Sequence, residues 1–252
     1  MKAEIREFLP EDIPQLTELW AEVFGDDRRL IERFFELLPA MGTGFTARLG
    51  GRIVGAAYSL DADFCGEHIG YLYAVAVKES CRSLGIGAEL CRSCAALGKT
   101  VTLPANEGLY GWYERVIGAK AALFTETELV LPSDDEKEIM KINAAEYAKL
   151  REKLLKDRPH FSFGEAYMSF QQYLCELYGG GMFRSGGGIA CGYTDNGILL
   201  VKEAIDFDAL PQLCRELNAD EAILRKPSPS GDVYLAADHT LPRDAVYDLT
   251  LD

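Results

Sequence analysis

The sequence predicts an α+β fold, a mixed and mostly antiparallel sheet flanked by helices, with a second, smaller α+β domain behind it. Three observations carry this. Strand-like runs alternate with segments of helical period through the first 131 residues. Glycine turns at Gly50-Gly51 and Asn196-Gly197 join apolar runs as hairpins, which makes neighbouring strands antiparallel. The polar break "PSDDEKE" (132–138) then separates two halves that show a similar order of elements.

Residues 3–8 read as a short strand. "PEDIPQLTELWAEVF" follows, opening with a proline and acids suited to a helix start, with Ile13, Leu16, Leu19, Trp20 and Val23 at helical spacing. "DDRRLIERFFELL" is a second helix with Leu30, Ile31, Phe34, Phe35 and Leu38 inward. A hairpin turns at Gly50-Gly51, and a long strand runs from Ile69 to Val77. A helix is expected from Gly87 to Leu97, a short strand in "TVTLPA", a helix in "NEGLYGWYERVIG" and a closing strand in "TETELVL". In the second half, Asn143 with Glu146 resembles a capping box, and Tyr147, Leu150 and Leu154 form one helix face. A helix with Tyr167, Phe170, Leu174 and Leu177 follows, then the Asn196-Gly197 hairpin. Asp208–Leu217 reads as a helix and Glu221–Arg225 as a strand. The expected domains are 1–132 and 142–252, joined by a linker at 133–141.

Composition narrows the function. A formal net charge of −14, negative in both halves, argues against a nucleic-acid binder, which needs a basic stripe, and mildly favours cationic partners such as amines. No apolar run reaches the roughly 20 residues of a membrane span, and Lys2, Glu4, Arg6 and Glu7 interrupt any leader-like run. A cytoplasmic protein with no membrane partner is expected. Seven scattered cysteines suit reduced thiols. Cys91 and Cys94 form a lone CxxC with no second pair at zinc spacing, so no metal site is expected.

The stretch "YAVAVKESCRSLGIGAEL" (73–90) places Arg82, Gly85 and Gly87 where a strand stops and a helix begins. Glycine there relieves strain in a plain turn. It also lets the unpaired N–H groups of a helix start approach an anion closely, with Arg82 adding a charge. The dinucleotide fingerprint GxGxxG and the GK[ST] of a P-loop are both absent.

In context the stretch resembles the acetyl-CoA-binding motif of the GNAT N-acetyltransferases, [QR]xxGx[GA], with Arg82, Gly85 and Gly87 at its fixed positions. "ANEGLYGWYERVIGAK" is similar to the family's second signature through Asn106, Tyr110, Tyr113, Glu114 and Gly118. It departs from that signature by one extra residue before Gly118 and by Ala119 in place of an aromatic. The resemblance covers about residues 3–131.

The resemblance implies a tandem GNAT enzyme that transfers acetyl from acetyl-CoA to a primary amine of a small molecule or peptide. Val75, Ala76 and Val77 would meet the pantetheine arm. Ser83, Leu84, Gly85, Ile86, Gly87 and Ala88 would join Arg82 around the pyrophosphate. Asn106 would bind the cofactor through its side chain, and Tyr113 would protonate the departing thiolate. On its amphipathic helix Tyr113 also reads as a core aromatic. An alkylamine is mostly protonated at neutral pH, a penalty of roughly 4–5 kcal/mol that a base must offset. Tyr71 stands where some relatives place that carboxylate. Glu67 and His68 could act through a water, Asp61 and Asp63 could attract a cation, and the C-terminal carboxylate of Asp252 is a further candidate by analogy with some tandem members. No base is assigned.

In the second half Asp206 and Asp208 replace the glycine loop, and carboxylates there would repel a pyrophosphate. That half is expected to be GNAT-like without cofactor binding. A CoA-binding sensor with little turnover is the alternative from another functional class.

Overall fold

The computed structural model describes residues 2–134, 136–228, 231–242 and 245–246. In chain order its elements are β1 (Glu4–Glu7), α1 (Ile13–Phe24), α2 (Arg28–Met41), β2 (Gly42–Leu49), β3 (Arg52–Phe64), β4 (Glu67–Val77), α3 (Ile86–Ala95), β5 (Thr100–Thr102) and α4 (Tyr110–Ile117). There follow β6 (Lys120–Val130), β7 (Met140–Ile142), α5 (Ala144–Leu155), β8 (Phe161–Phe163), α6 (Glu165–Leu177), β9 (Gly181–Ser185), β10 (Gly188–Asp195) and β11 (Ile198–Ile205). The last are α7 (Leu210–Glu216), β12 (Glu221–Pro227) and β13 (Asp232–Ala237). The mixed α+β class, mostly antiparallel, is as expected.

Local chemistry sets the helix ends. Gly25, in the left-handed region at φ 76°, closes α1. Asp27 opens α2 by accepting the Arg29 N–H at 2.8 Å, and Asn143 opens α5 by accepting that of Glu146 at 2.9 Å. Leu30, Ile31, Phe34, Phe35 and Leu38 are all buried.

The chain forms two compact units. The first holds the described residues up to Ala122 together with Val233–Leu241. Its strands run in the order β1-β2-β3-β4-β5-β13, with β4 and β5 parallel and the other neighbours antiparallel. On one face Trp20, Phe34, Tyr58 and Tyr73 pack in tilted and edge-on arrangements, with ring centres 4.7–5.8 Å apart. Ala57, beside Tyr58, points the other way, into a cluster with Leu72, Leu90, Cys91, Cys94 and Tyr113. Asp12, 1% exposed, ties β1 and β2 to the start of α1 through Arg6 at 2.9 Å, Arg48 at 2.7 Å and the Leu9 N–H at 2.9 Å.

The second unit holds Leu123–Asp232 and the described residues from Pro242. Its strand order is β7-β9-β10-β11-β12-β6, again with one parallel pair, β11 with β12. Element by element, β7, α5, α6, β9, β10, β11, α7 and β12 repeat the course of β1, α1, α2, β2, β3, β4, α3 and β5. The sixth place is taken in the first unit by β13 and in the second by β6, so each unit draws its last strand from the opposite half of the chain. This division differs from the expected boundary at 132, because backbone pairing rather than chain order decides where a strand belongs. The expected linker is docked: Ser133 N–H donates to Pro211 at 3.3 Å, and Met140 to Ile142 pair with β9. Among the described residues no helix is long and apolar enough to cross a membrane.

Candidate active site

The site is built on β4. Opposite Ala57 of β3, β4 carries two residues, Ala74 and Val75, because the register passes from Tyr58–Tyr73 to Ala56–Ala76. Ala74 takes φ 48°, a left-handed conformation that a bulge imposes and that turns its peptide groups out of the β3 ladder. On its other edge β4 pairs with β5 only over Gly70–Leu72, opposite Thr100–Thr102. β5 then ends while β4 continues to Val77, so the two strands part beyond Leu72. Val75 and Val77 are half-buried there, and Ala76 is buried.

A short 3-10 turn (Glu79–Cys81) leads from β4 to α3. Arg82 and Leu84 are exposed, and Arg82 Nε donates to the Val77 carbonyl at 3.4 Å, which keeps its guanidinium beside the strand end. Ser83 at φ 63° and Gly85 at φ 78° both adopt left-handed backbone. No side chain caps the helix, and its first intrahelical bond runs from Glu89 N–H to the Gly85 carbonyl at 3.1 Å. The N–H groups of Ile86, Gly87 and Ala88 therefore start the helix without intrahelical acceptors. Ile86 drives its side chain into the core, and a Cβ on Gly87 would sit 3.7 Å from both Trp112 and Val77. This is a cradle that fits a phosphate group, with a positive helix end and close backbone approach.

Helix α4 brings Tyr113 to the parting of β4 and β5. The Tyr113 hydroxyl lies beside Thr102, whose own hydroxyl donates to the Leu72 carbonyl at 3.2 Å. Burial pushes the Tyr113 hydroxyl well above its ordinary range, Cys91 adds to the shift, and Thr102 offsets part of it. Trp112 stacks edge-on against Tyr113 at 4.8 Å. Tyr110 donates to the Val233 carbonyl at 2.6 Å and so holds β13 against α4. Asn106 stands apart: it is exposed, its side-chain oxygen lies over Gly108, and among the described residues it makes no side-chain hydrogen bond to the loop.

The base candidates are not at this point. Tyr71 is buried and packs on Tyr73 at 5.7 Å. Glu67 pairs with Lys99, and His68 faces Asp61 at 3.4 Å, both at the far end of the β3–β4 hairpin. Burial raises the Asp61 carboxyl, and His68 offsets part of that rise. Seven residues of strand, about 23 Å, separate Glu67 from the bulge. Asp252 lies outside the described residues. Cys91 and Cys94 are core thiols, and burial pushes Cys91 up to about 12. The bulge, the part played by Thr102 and the packing of Trp112 on Gly87 were beyond sequence reading. Only Thr102, one residue inside the expected short strand, left a trace.

At the matching place in the second unit, α7 spans seven residues. Lys137 covers its approach, with Nζ 2.7 Å from an Asp208 carboxylate oxygen and 2.8 Å from the Asp208 carbonyl, while its N–H donates to Gln212.

A sheet that parts beside a bulged strand, and an uncapped glycine turn into the following helix, define the N-acetyltransferase class of fold. Residues 5–119 match the model of the Acetyltransferase (GNAT) family. Among solved structures, a GCN5-related N-acetyltransferase from Anabaena variabilis aligns with a TM-score of 0.70 at 11% identity, over 94% of this chain and 72% of that one. One from Kribbella flavida aligns at 0.67 and 12%, over 94% and 71%. A protein from Pyrococcus horikoshii aligns at 0.67 and 17%, over 99% and 93%. At these identities the likeness shows the fold. No curated protein matches the sequence.

Proposed function

We propose that the chain is an N-acetyltransferase that moves an acetyl group from acetyl-CoA to a primary amine of a small molecule or peptide in the cytoplasm. The GNAT family match supports acyl transfer in general. The observation that supports the finer reading is the continuity of two features, the edge of β4 beyond Leu72 and the N–H cradle at the start of α3. Val75, Ala76 and Val77 would receive the pantetheine arm. Arg82 and the backbone from Ser83 through Leu84, Gly85, Ile86 and Gly87 to Ala88 would hold the pyrophosphate, and Asn106 would add a side-chain contact.

The bulged peptide groups at Ala74 and Val75 are set to polarise the acetyl carbonyl. The neutral amine nitrogen attacks the carbonyl carbon, the C–S bond breaks, and the Tyr113 proton passes to the departing sulfur. The proton shed by the new amide nitrogen passes to water, from which Tyr113 is reprotonated. Burial keeps that proton on Tyr113 at neutral pH, as a donor requires. The second unit is proposed to bind no cofactor, because Lys137 and Asp208 fill the equivalent approach.

A CoA-binding sensor with little turnover is the second reading, favoured by buried Tyr71 where relatives place a carboxylate. Release of free CoA from acetyl-CoA, followed across a panel of primary amines, separates the two. At least one amine should raise the rate well above that in buffer. CoA binding with no amine-dependent release would overturn the enzyme in favour of the sensor.

A further inference from the structure

The chain has two tryptophans, and the fold treats their polar atoms differently. Trp20, 3% exposed, has its indole N–H satisfied by Asp26 Oδ2 at 2.6 Å. That is the usual state of a buried indole, which can donate but not accept. Trp112 is half-buried on the opposite face of the sheet, against the cluster of Leu90, Cys91 and Tyr113. Among the described residues nothing accepts from its Nε1.

The position of the indole gives that donor a use. Trp112 and Tyr113 are consecutive on α4, so their side chains diverge by about 100° around the helix. Tyr113 reaches Thr102 at the parting of β4 and β5, whereas the indole reaches across to α3. A Cβ built on Gly87 would lie 3.7 Å from Cη2 and Cζ2 of Trp112 and 3.7 Å from Cγ2 of Val77. The edge of the six-membered ring thus meets the last residue of β4 and the first turn of α3 at one point.

Nε1 is two bonds from Cζ2, so the indole N–H belongs to the same small region as the Ile86, Gly87 and Ala88 N–H groups that lack intrahelical acceptors. Val77 and Gly87 are also the two points between which the proposed cofactor turns, from the β4 edge into the anion cradle. Packing accounts for a large ring between α3 and α4. The N–H is the feature that packing does not use.

We propose that Trp112 is a cofactor-binding residue: its ring edge supports the bend of the pantetheine arm, and its Nε1–H donates to the phosphate that follows the arm. This rests on the reading of the β4 edge and the start of α3 as the acetyl-CoA site. It adds a neutral side-chain donor to a cradle otherwise made of backbone N–H groups and Arg82. A hydrogen bond to a charged phosphate is stronger than one between neutral groups.

The two indole N–H groups give two peaks in a nitrogen–proton correlation spectrum of the isotopically labelled full chain. Each is assigned by its loss in Trp112→Phe or Trp20→Phe. CoA should move the Trp112 peak downfield and leave the Trp20 peak in place. Trp112→Phe keeps a ring and removes the N–H, so the Kd for CoA should rise about tenfold, as for a lost hydrogen bond to a charged group. The KM for acetyl-CoA with an accepted amine should rise with it, by more than kcat falls. A packing role alone would lower the thermal midpoint and move neither constant. If CoA raises the midpoint of the native chain but leaves the Trp112 peak in place, or binds Trp112→Phe as tightly, the role of Trp112 is overturned while the cofactor site stands. If CoA neither raises the midpoint nor moves a peak, the cofactor reading fails and this one with it.

Discussion

The hydroxyl of Tyr113 meets the side chain of Thr102 at the point where β4 and β5 part, and Thr102 passes the contact on to the Leu72 carbonyl. Tyr113 is a core aromatic, 7% exposed, and under the proposed reaction it would also be the proton donor. The two roles share one ring and are separable by removing one oxygen. Tyr113→Phe keeps the packing against Trp112 and removes the proton. General-acid assistance is worth about 10²–10⁴ in rate, so kcat with an accepted amine should fall at least tenfold while CoA affinity stays within a few-fold. Because burial raises this hydroxyl above the ordinary tyrosine value, kcat should show no loss from Tyr113 deprotonation below about pH 10. Wild-type turnover in the phenylalanine variant would leave Tyr113 a packing residue only.

Gly87 allows a sharper test of the anion cradle. A methyl group there would rest in ordinary contact with Trp112 and Val77, so Gly87→Ala should fold and bind CoA nearly as well as the native chain. Gly87→Glu adds a carboxylate beside the helix start, where it repels a pyrophosphate. It should lose the rise in thermal midpoint that CoA gives the native protein. An equal rise in both variants would place CoA elsewhere.

Lys137 and Asp208 bear on stoichiometry. Their ion pair and the bond from Lys137 N–H to Gln212 close the approach to α7, and Lys137 holds the Asp208 carboxyl below its ordinary value. Titration calorimetry should return one CoA per chain. Two comparable sites would contradict a cofactor-free second unit.

Asp12 predicts a pH dependence. Burial pushes its carboxyl up, but the Leu9 N–H and the guanidinium groups of Arg6 and Arg48 outweigh burial and hold it below the usual value. A depressed carboxyl stabilises the fold above its unfolded value near 3.9 and loses that contribution as pH falls through the folded value. Asp12→Asn should cost about 3 kcal/mol at pH 7, near the lower end for removing one partner of a buried pair. Urea unfolding near pH 3 should show a smaller gap between the two proteins. A gap that does not change with pH would mean that Asp12 acts by shape rather than by charge.

Whatever depends on near neighbours in the chain was legible in the sequence. The apolar spacing of Leu30, Ile31, Phe34, Phe35 and Leu38 gave α2 its buried face, Asn143 capped α5 as its pattern required, and Arg82, Gly85 and Gly87 marked the turn from β4 into α3. The tertiary structure decided what depends on partners distant in sequence. That β13 completes the first unit and β6 the second follows from backbone pairing, which carries little residue code at such short contacts as Ala236–Thr102 and Ala237–Val101. The bulge at Ala74 exists because the registers of β3 and β4 differ by one residue across Ala57, and no glycine announces it. Arg151 falls one turn after Tyr147 on the buried side of α5, and Glu203, 52 residues away, together with the Phe161 carbonyl makes its burial tolerable. Local propensity is written residue by residue, whereas pairing, register and charge compensation are relations between residues and come into being only when the chain closes on itself.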